Sequence, residues 1–251
     1  MLPTLGALRQ KLKAGEPSIG SWMQLADSNV AELMGAAGYD WVAVDLEHGR
    51  YAENQLPDIF RALVSGGTLP FARLGQVSAY TVKAALEAGA QGLIFPMVES
   101  AEQVRQAVSW ALYPPKGSRG VGYSRANLFG KEFEAYREFS PFMVAQIEHK
   151  DAARDIEAIL AVEGLDAIMI GPYDLSASMG LTGQFDHPDF KALLNGVVAA
   201  CAKYKIPAGQ HVVVPDPGRL EGTLAEGYRF VAYCTDAIFL WTSASRPDIA
   251  Y

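Results

Sequence analysis

Eight short apolar runs recur along the chain, each closed by a turn: Ile19–Met23, Trp41–Leu46, Pro70–Leu74, Gly92–Pro96, Met143–Ile147, Ala167–Ile170, Ala208–Val212 and Phe230–Tyr233. Amphipathic stretches lie between them, around Val30–Ala37, Leu56–Val64, Ala79–Ala88, Ala101–Ala111, Ala152–Leu160, Asp189–Tyr204 and Gly218–Glu226. Strands joined through crossover helices pair in parallel. Gly38, Gly66, Gly89 and Gly227 stand where helix C-caps are expected. Eight such units predict an α/β fold closed into a (β/α)8 TIM barrel. A doubly wound open sheet is the alternative, but the count favours the barrel and no GxGxxG follows the first run.

The chain's 251 residues show no composition break or low-complexity segment, so the expectation is one domain spanning 1–251. A mixed amphipathic helix is expected over 5–14. The apolar and aromatic C-terminal segment, 236–251, is expected at a subunit interface. The net charge is −7, with no cluster of Lys and Arg, which argues against nucleic acid and anionic membrane as partners. No apolar stretch is long enough for a membrane helix, and the N-terminus lacks the apolar core of a signal peptide. Cys201 and Cys234 match no metal spacing and read as reduced, buried thiols. The expected compartment is the cytoplasm.

Polar groups gather where the apolar runs end. Asp45, Glu47 and His48 leave the second run, Arg73 sits at the third, and Gln146 and Glu148 close the fifth. The sixth runs into the turn Gly171-Pro172-Tyr173-Asp174. In a barrel these positions share one mouth, which is where active sites of this fold lie. Two carboxylates at neighbouring strand ends suit a shared proton or a cation. With Gln146 and the carbonyls of the Gly-Pro turn they form an all-oxygen set of the kind that holds Mg²⁺ or Mn²⁺. For Asp174 the competing reading is a residue opening a short helix. His48, beside Asp45 and Glu47, has the carboxylate neighbour that tunes an imidazole for proton transfer. Arg73 needs an anion, either a developing oxyanion or a structural partner in Asp45 or Glu148.

The long connection Tyr113–Pro141 carries Lys116, Arg119 and Arg125, and is expected over or near the mouth. Its GSRGVG lacks the Gly-Lys-Ser/Thr ending of a phosphate loop. His149 is expected to point away from Glu148, His187 to lie at a helix entrance, and His211 to serve packing.

Taken together, AGYDWVAVDLEHG, ALEAGAQGLIFPMV, YPPKGSRGVGYSRA, QIE and DAIMIGPYDLSASMG, in this order and over nearly the whole chain, resemble the class II pyruvate aldolases of the 4-hydroxy-2-oxo-heptanedioate and 2-dehydro-3-deoxyglucarate aldolase family. The resemblance implies a barrel of the phosphoenolpyruvate/pyruvate-domain type, a homo-hexamer (a dimer of trimers) with its last helix exchanged, and a divalent metal, Mg²⁺, Mn²⁺ or Co²⁺. By motif, Glu148 and Asp174 match the metal ligands, Arg73 the enolate-stabilising arginine, and His48 with Asp45 the acid/base pair. Gln146, Gly171, Pro172 and Tyr173 match the pyruvate-holding region. Leu46 stands where some members have Gly, Tyr173 where a small residue is common, and His149 where Thr is common.

The expected activity is metal-dependent, reversible aldol cleavage of a 4-hydroxy-2-oxo acid into pyruvate and an aldehyde, without a Lys Schiff base. An oxaloacetate decarboxylase or CoA-ester lyase on the same scaffold is the rival enzyme, and a barrel that only binds a 2-oxo acid is the rival of another class. No candidate site for the nucleotide end of CoA is evident.

Overall fold

Eight parallel strands close on themselves in sequence order, so the sheet has no free edge. The structure is a computed structural model that describes residues 4–244 together with Arg246. The strands are β1 (Ser18–Met23), β2 (Trp41–Asp45), β3 (Leu69–Arg73), β4 (Gly92–Val98), β5 (Phe142–Ile147), β6 (Ala167–Ile170), β7 (Ala208–Val212) and β8 (Phe230–Thr235). The helices are α1 (Leu5–Lys13), α2 (Ser28–Ala36), α3 (Leu56–Gly66), α4 (Ala79–Ala88), α5 (Ala101–Ala111), α6 (Phe133–Tyr136), α7 (Lys150–Arg154), α8 (Ile156–Leu160), α9 (Pro172–Ser178), α10 (Pro188–Tyr204), α11 (Pro217–Ala225) and α12 (Asp236–Ser243). This is the single-domain (β/α)8 barrel expected from the sequence, with the open sheet excluded by the β1–β8 pairing. Of the 236–251 segment, residue 245 and residues 247–251 lie outside the described residues.

Two apolar layers hold the barrel. One fills the space between strands and helices. The other fills the bore, where Trp41, Phe71, Phe142 and Phe230 stack, the Trp41 and Phe230 rings 4.5 Å apart at 12°. Gly20 faces the Trp41 ring, and a Cβ there would collide with it. Leu5, Leu8 and Leu12 of α1 close the bottom, where Arg9 grips Asp166 at 2.7 Å and the carbonyl of Pro141 at 2.8 Å. The plug leaves only the C-terminal ends of the strands open, and that end carries the polar groups.

Three local expectations change. The helix read as continuous over Ala152–Leu160 is broken at Asp155 (φ −94°, ψ 21°) into α7 and α8. The cap of α3 is Gly67 (φ 107°), one residue past Gly66. The Tyr113–Pro141 connection does not cover the mouth. It leaves the end of α5 and enters the start of β5, which places it at the closed end of the barrel. There Arg125 donates to the Ala88 carbonyl at 2.7 Å, Lys116 pairs with Glu138 at 2.9 Å, and the buried Arg119 lies over Tyr113 and Tyr136.

Candidate active site

β2 and β3 are in register at Asp45 and Arg73, so these two side chains leave the barrel side by side. Arg73 Nε donates to Asp45 Oδ1 at 2.9 Å and an Nη to Oδ2 at 2.6 Å, a planar fork that only arginine supplies. Asp45 is fully buried and also accepts from Gln24 Nε2 at 2.9 Å and from the backbone N–H groups of Glu47 and His48. Burial alone raises its carboxyl, but the Arg73 guanidinium, Gln24 and the His48 N–H outweigh it and hold the group below the ordinary carboxylate range.

The His48 imidazole takes a different partner from the one expected. Asp45 engages only the backbone of His48. The ring Nε2 lies 3.8 Å from Glu47 Oε2, with the side chain 63% exposed on the rim. Glu47 also reaches Arg73 at 3.2 Å. Burial raises the Glu47 carboxyl above its usual value despite the attraction of Arg73 and His48, and the charges of Asp45 and Asp174 add to the shift. The Arg73 guanidinium lies 4.6 Å over the Trp22 ring, so Trp22 forms the floor beneath the charged groups.

Across the mouth, Gln146 and Glu148 project from the end of β5 on one side, and Gln146 Nε2 donates to Glu148 Oε2 at 2.7 Å. The other Glu148 oxygen accepts from the Met97 N–H at 2.6 Å. Met97 holds a left-handed backbone (φ 50°) where the β4–β5 register shifts, and this turns its N–H toward the carboxylate. Burial pushes the Glu148 carboxyl up to about 7. The Met97 and Gln146 donors oppose that rise, and the charges of Glu47 and Asp174 add to it. Glu148 does not pair with Arg73.

β6 ends at Ile170, Gly171 follows as the N-cap of α9, and Pro172 opens that helix. A Cβ on Gly171 would lie 2.6 Å from Glu148 Oε2, so glycine is what lets the carboxylate rest against this strand end. Asp174 sits exposed in the first turn of α9, as the helix-opening reading had it, and its charge is felt by both Glu47 and Glu148. The Tyr173 ring meets Phe185 edge-on at 4.9 Å.

These groups suit a divalent cation. The charges of three carboxylates, Glu47, Glu148 and Asp174, are felt by one another here, and Arg73 and His48 offset them at Glu47. Gln146 Oε1 is buried without a hydrogen-bond partner, which is costly unless something electropositive meets it. Among the described residues no three Asp, Glu, His or Cys side chains form a ready-made ligand cluster. A site with few protein ligands, completed by water and substrate oxygens, is the Mg²⁺-type arrangement.

Residues 18–242 match the family described as HpcH/HpaI aldolase/citrate lyase. The chain belongs to that family. It is 37% identical over 240 residues to a hydroxypyruvate/pyruvate aldolase of Roseobacter denitrificans, covering 94% of this chain and 93% of the relative. It is also 37% identical over 249 residues to a 2-keto-3-deoxy-L-rhamnonate aldolase of Salmonella gallinarum, covering 96% and 91%. The solved structure of an HpcH/HpaI aldolase/citrate lyase family protein from Burkholderia cenocepacia superposes with a TM-score of 0.88 at 30% identity, over 95% of this chain and 96% of that one. As a member of the HpcH/HpaI family the chain is a carbon–carbon lyase of the aldolase type.

Several groups at this mouth escape sequence reasoning. The Met97 N–H is a backbone donor that any side chain could accompany. Gln24 becomes a partner of Asp45 only because β1 and β2 are neighbours. Glu47 was visible at its strand end, but nothing in the sequence tells whether Asp45 or Glu47 faces the imidazole.

Proposed function

We propose that the mouth catalyses reversible aldol cleavage of a 4-hydroxy-2-oxo acid, of the 2-keto-3-deoxy acid type, to pyruvate and an aldehyde. The observation that carries this reading is the opposition of Arg73, fixed by Asp45, to the buried Glu148 and Gln146 across one open barrel end. Glu148 and Asp174 are the groups that would hold a divalent cation, Mg²⁺, Mn²⁺ or Co²⁺. When bound, the cation supplies Lewis-acid polarisation of the 2-oxo acid.

The chain's own residues do the rest. Gln146 orients the 2-oxo acid beside Glu148. The first-turn N–H groups that follow Gly171 and Pro172 have no partner within their helix and suit the substrate carboxylate. His48, its ring 3.8 Å from Glu47, takes the proton of the 4-hydroxyl. The C3–C4 bond then breaks, and its electron pair passes into the C2–C3 enolate. Arg73 faces the negative charge that collects on the C2 oxygen, and its fixed fork needs no reorganisation as that charge appears. A proton returned to C3 gives pyruvate, and the reverse sequence builds the carbon–carbon bond.

The test is pyruvate release from a 4-hydroxy-2-oxo acid after EDTA treatment and after adding back Mg²⁺, Mn²⁺ or Co²⁺. Loss and recovery of turnover is the expected result, and full activity without metal overturns the scheme. We also read the chain as a cytoplasmic homo-oligomer, a hexamer. The support is α12, whose Leu240 and Trp241 are 60% and 76% exposed. A monomeric mass in solution would overturn that reading. No helix among the described residues is long and apolar enough to cross a membrane.

A further inference from the structure

Asp236 is buried at the first position of α12, directly after β8, and the aldol scheme gives it no task. Its Oδ1 accepts from the N–H groups of Gln24 and Ala237, both at 2.8 Å, and its Oδ2 from the N–H of Leu25 at 2.9 Å. Gln24 and Leu25 follow the end of β1 at the mouth. A bulge brings the carboxylate there. The β1–β8 register passes from Gly20 opposite Ala232 to Trp22 opposite Thr235, so β8 uses one residue more than β1. Cys234 takes a left-handed backbone (φ 59°) at that place. The buried Ser21 hydroxyl spans the bulge, 2.9 Å from the Tyr233 carbonyl and 3.3 Å from that of Cys234. Tyr51 holds the same turn by its carbonyls, its hydroxyl 3.0 Å from that of Met23 and 3.3 Å from that of Leu25.

The consequence lies at Asp45. With its backbone fixed, Gln24 donates from Nε2 to Asp45 Oδ2 at 2.9 Å, and the same oxygen takes an Nη of Arg73 at 2.6 Å. The place of the amide therefore helps to set the place of that oxygen, and with it the plane of the guanidinium. Arg73 stabilises the enolate by being aimed before charge appears, so a small rotation of its fork costs rate.

We propose that Asp236 is a positioning residue for the aldol reaction, holding the Arg73 guanidinium in line through the Gln24 amide and Asp45. This rests on the aldol reading above. A carboxylate given over to backbone N–H groups makes a firm link, because charge-assisted hydrogen bonds are roughly twice as strong as neutral ones. Asparagine in its place keeps the size but has one acceptor oxygen, and its NH₂ meets an N–H donor.

The experiment measures pyruvate release by the metal-loaded wild type, Asp236→Asn, Gln24→Met and the double variant. Each single substitution is expected to lower kcat by about tenfold or more and to leave KM within about twofold, since the interaction lost is one made in the transition state. The double variant is expected to fall no further than the worse single one, because both substitutions cut one chain. Losses that multiply in the double variant, or a loss carried by KM, overturn the proposal. Unchanged kcat in Gln24→Met overturns it alone, whether or not Asp236→Asn folds. A second readout needs no turnover. Solvent exchange of the Arg73 Nε proton, followed by NMR in the metal-free protein, is expected to be faster in both single variants than in the wild type. Equal exchange in all three overturns the proposal. Absence of turnover in the wild type overturns the aldol reading, and with it the task assigned to Asp236, whereas the exchange comparison reports on the link by itself.

Discussion

Arg73 and Asp45 stand opposite each other in the β2–β3 register, joined by parallel hydrogen bonds of 2.9 and 2.6 Å, with Asp45 sealed from solvent. The aspartate therefore works on the guanidinium, and the histidine three residues later looks to Glu47. This separates two tasks that the Asp45-x-x-His48 spacing had merged. One carboxylate aims a cation, and another faces the imidazole.

Asp45→Ala and His48→Ala should accordingly differ in kind. Removing Asp45 breaks the fork of a guanidinium that is only 13% exposed and leaves it Glu47 as its remaining carboxylate, so the loss is expected at the lower end of the range for a broken buried pair, about 3 kcal/mol. The urea midpoint is expected to fall accordingly. His48 lies on the rim, so its removal should change stability by no more than about 0.5 kcal/mol. Loss of a general base should nonetheless lower kcat by about 10²–10⁴-fold. Urea unfolding and a pyruvate-release assay on both variants separate the cases, and undiminished kcat in His48→Ala removes the residue from the proton transfer.

Arg73→Lys keeps the charge and loses the fork. An ammonium cannot hold both Asp45 oxygens and still reach Glu47 at the site of charge development. A decrease in kcat of about 10²–10³-fold is expected, the usual consequence of losing one oxyanion donor. Wild-type kcat would show that the guanidinium serves only as the counter-ion of Asp45.

The barrel was legible because its signals are local and repeated. Ala79–Ala88 and Ala101–Ala111 match the observed helices, since apolar positions recur along one face, and the structure shows Ser78 and Ser100 capping them. Direction was legible as well, because strand ends that carry Asp45, Arg73, Gln146 and Glu148 must share one mouth. What failed depended on rotamers or on chain path. Asp155 could have continued a helix and instead breaks it. The Arg residues of 113–141 resembled mouth residues, yet a segment running from a helix end to a strand start belongs at the barrel's closed end. The partner of His48 depends on a side-chain torsion that composition does not encode.

Glu148 should give the metal-free protein a recognisable pH signature. Burial raises its carboxyl to about 7, from an ordinary value of 4.5. The folded chain then holds this proton more tightly than the unfolded chain. Its contribution to stability is present in full below 4.5 and is lost as pH rises through about 7. Between those values the Tm of EDTA-treated wild type should fall relative to that of Glu148→Gln, whose side chain does not titrate. Mn²⁺ affinity of the wild type should rise over the same window, because the cation displaces the proton. Parallel Tm profiles of the two proteins would show that Glu148 is ionised well below this range.

Gly171→Ala tests whether Glu148 has room to move. The new methyl would lie 2.6 Å from Glu148 Oε2 and 2.9 Å from its Cβ. The carboxylate cannot simply retreat, since the Met97 N–H and Gln146 Nε2 pin its two oxygens at 2.6 and 2.7 Å. Either those hydrogen bonds break or β6 shifts, and both displace a proposed cation ligand. Mn²⁺ affinity measured by titration calorimetry should drop about 10–100-fold, the scale on which disturbed support of a ligand is felt. Gly196→Ala on α10 is the control, because its added methyl meets nothing within 4 Å. That substitution should leave Mn²⁺ affinity unchanged and raise stability by up to about 1 kcal/mol. If Gly171→Ala binds Mn²⁺ as tightly as the wild type, Glu148 does not ligate the ion from this position.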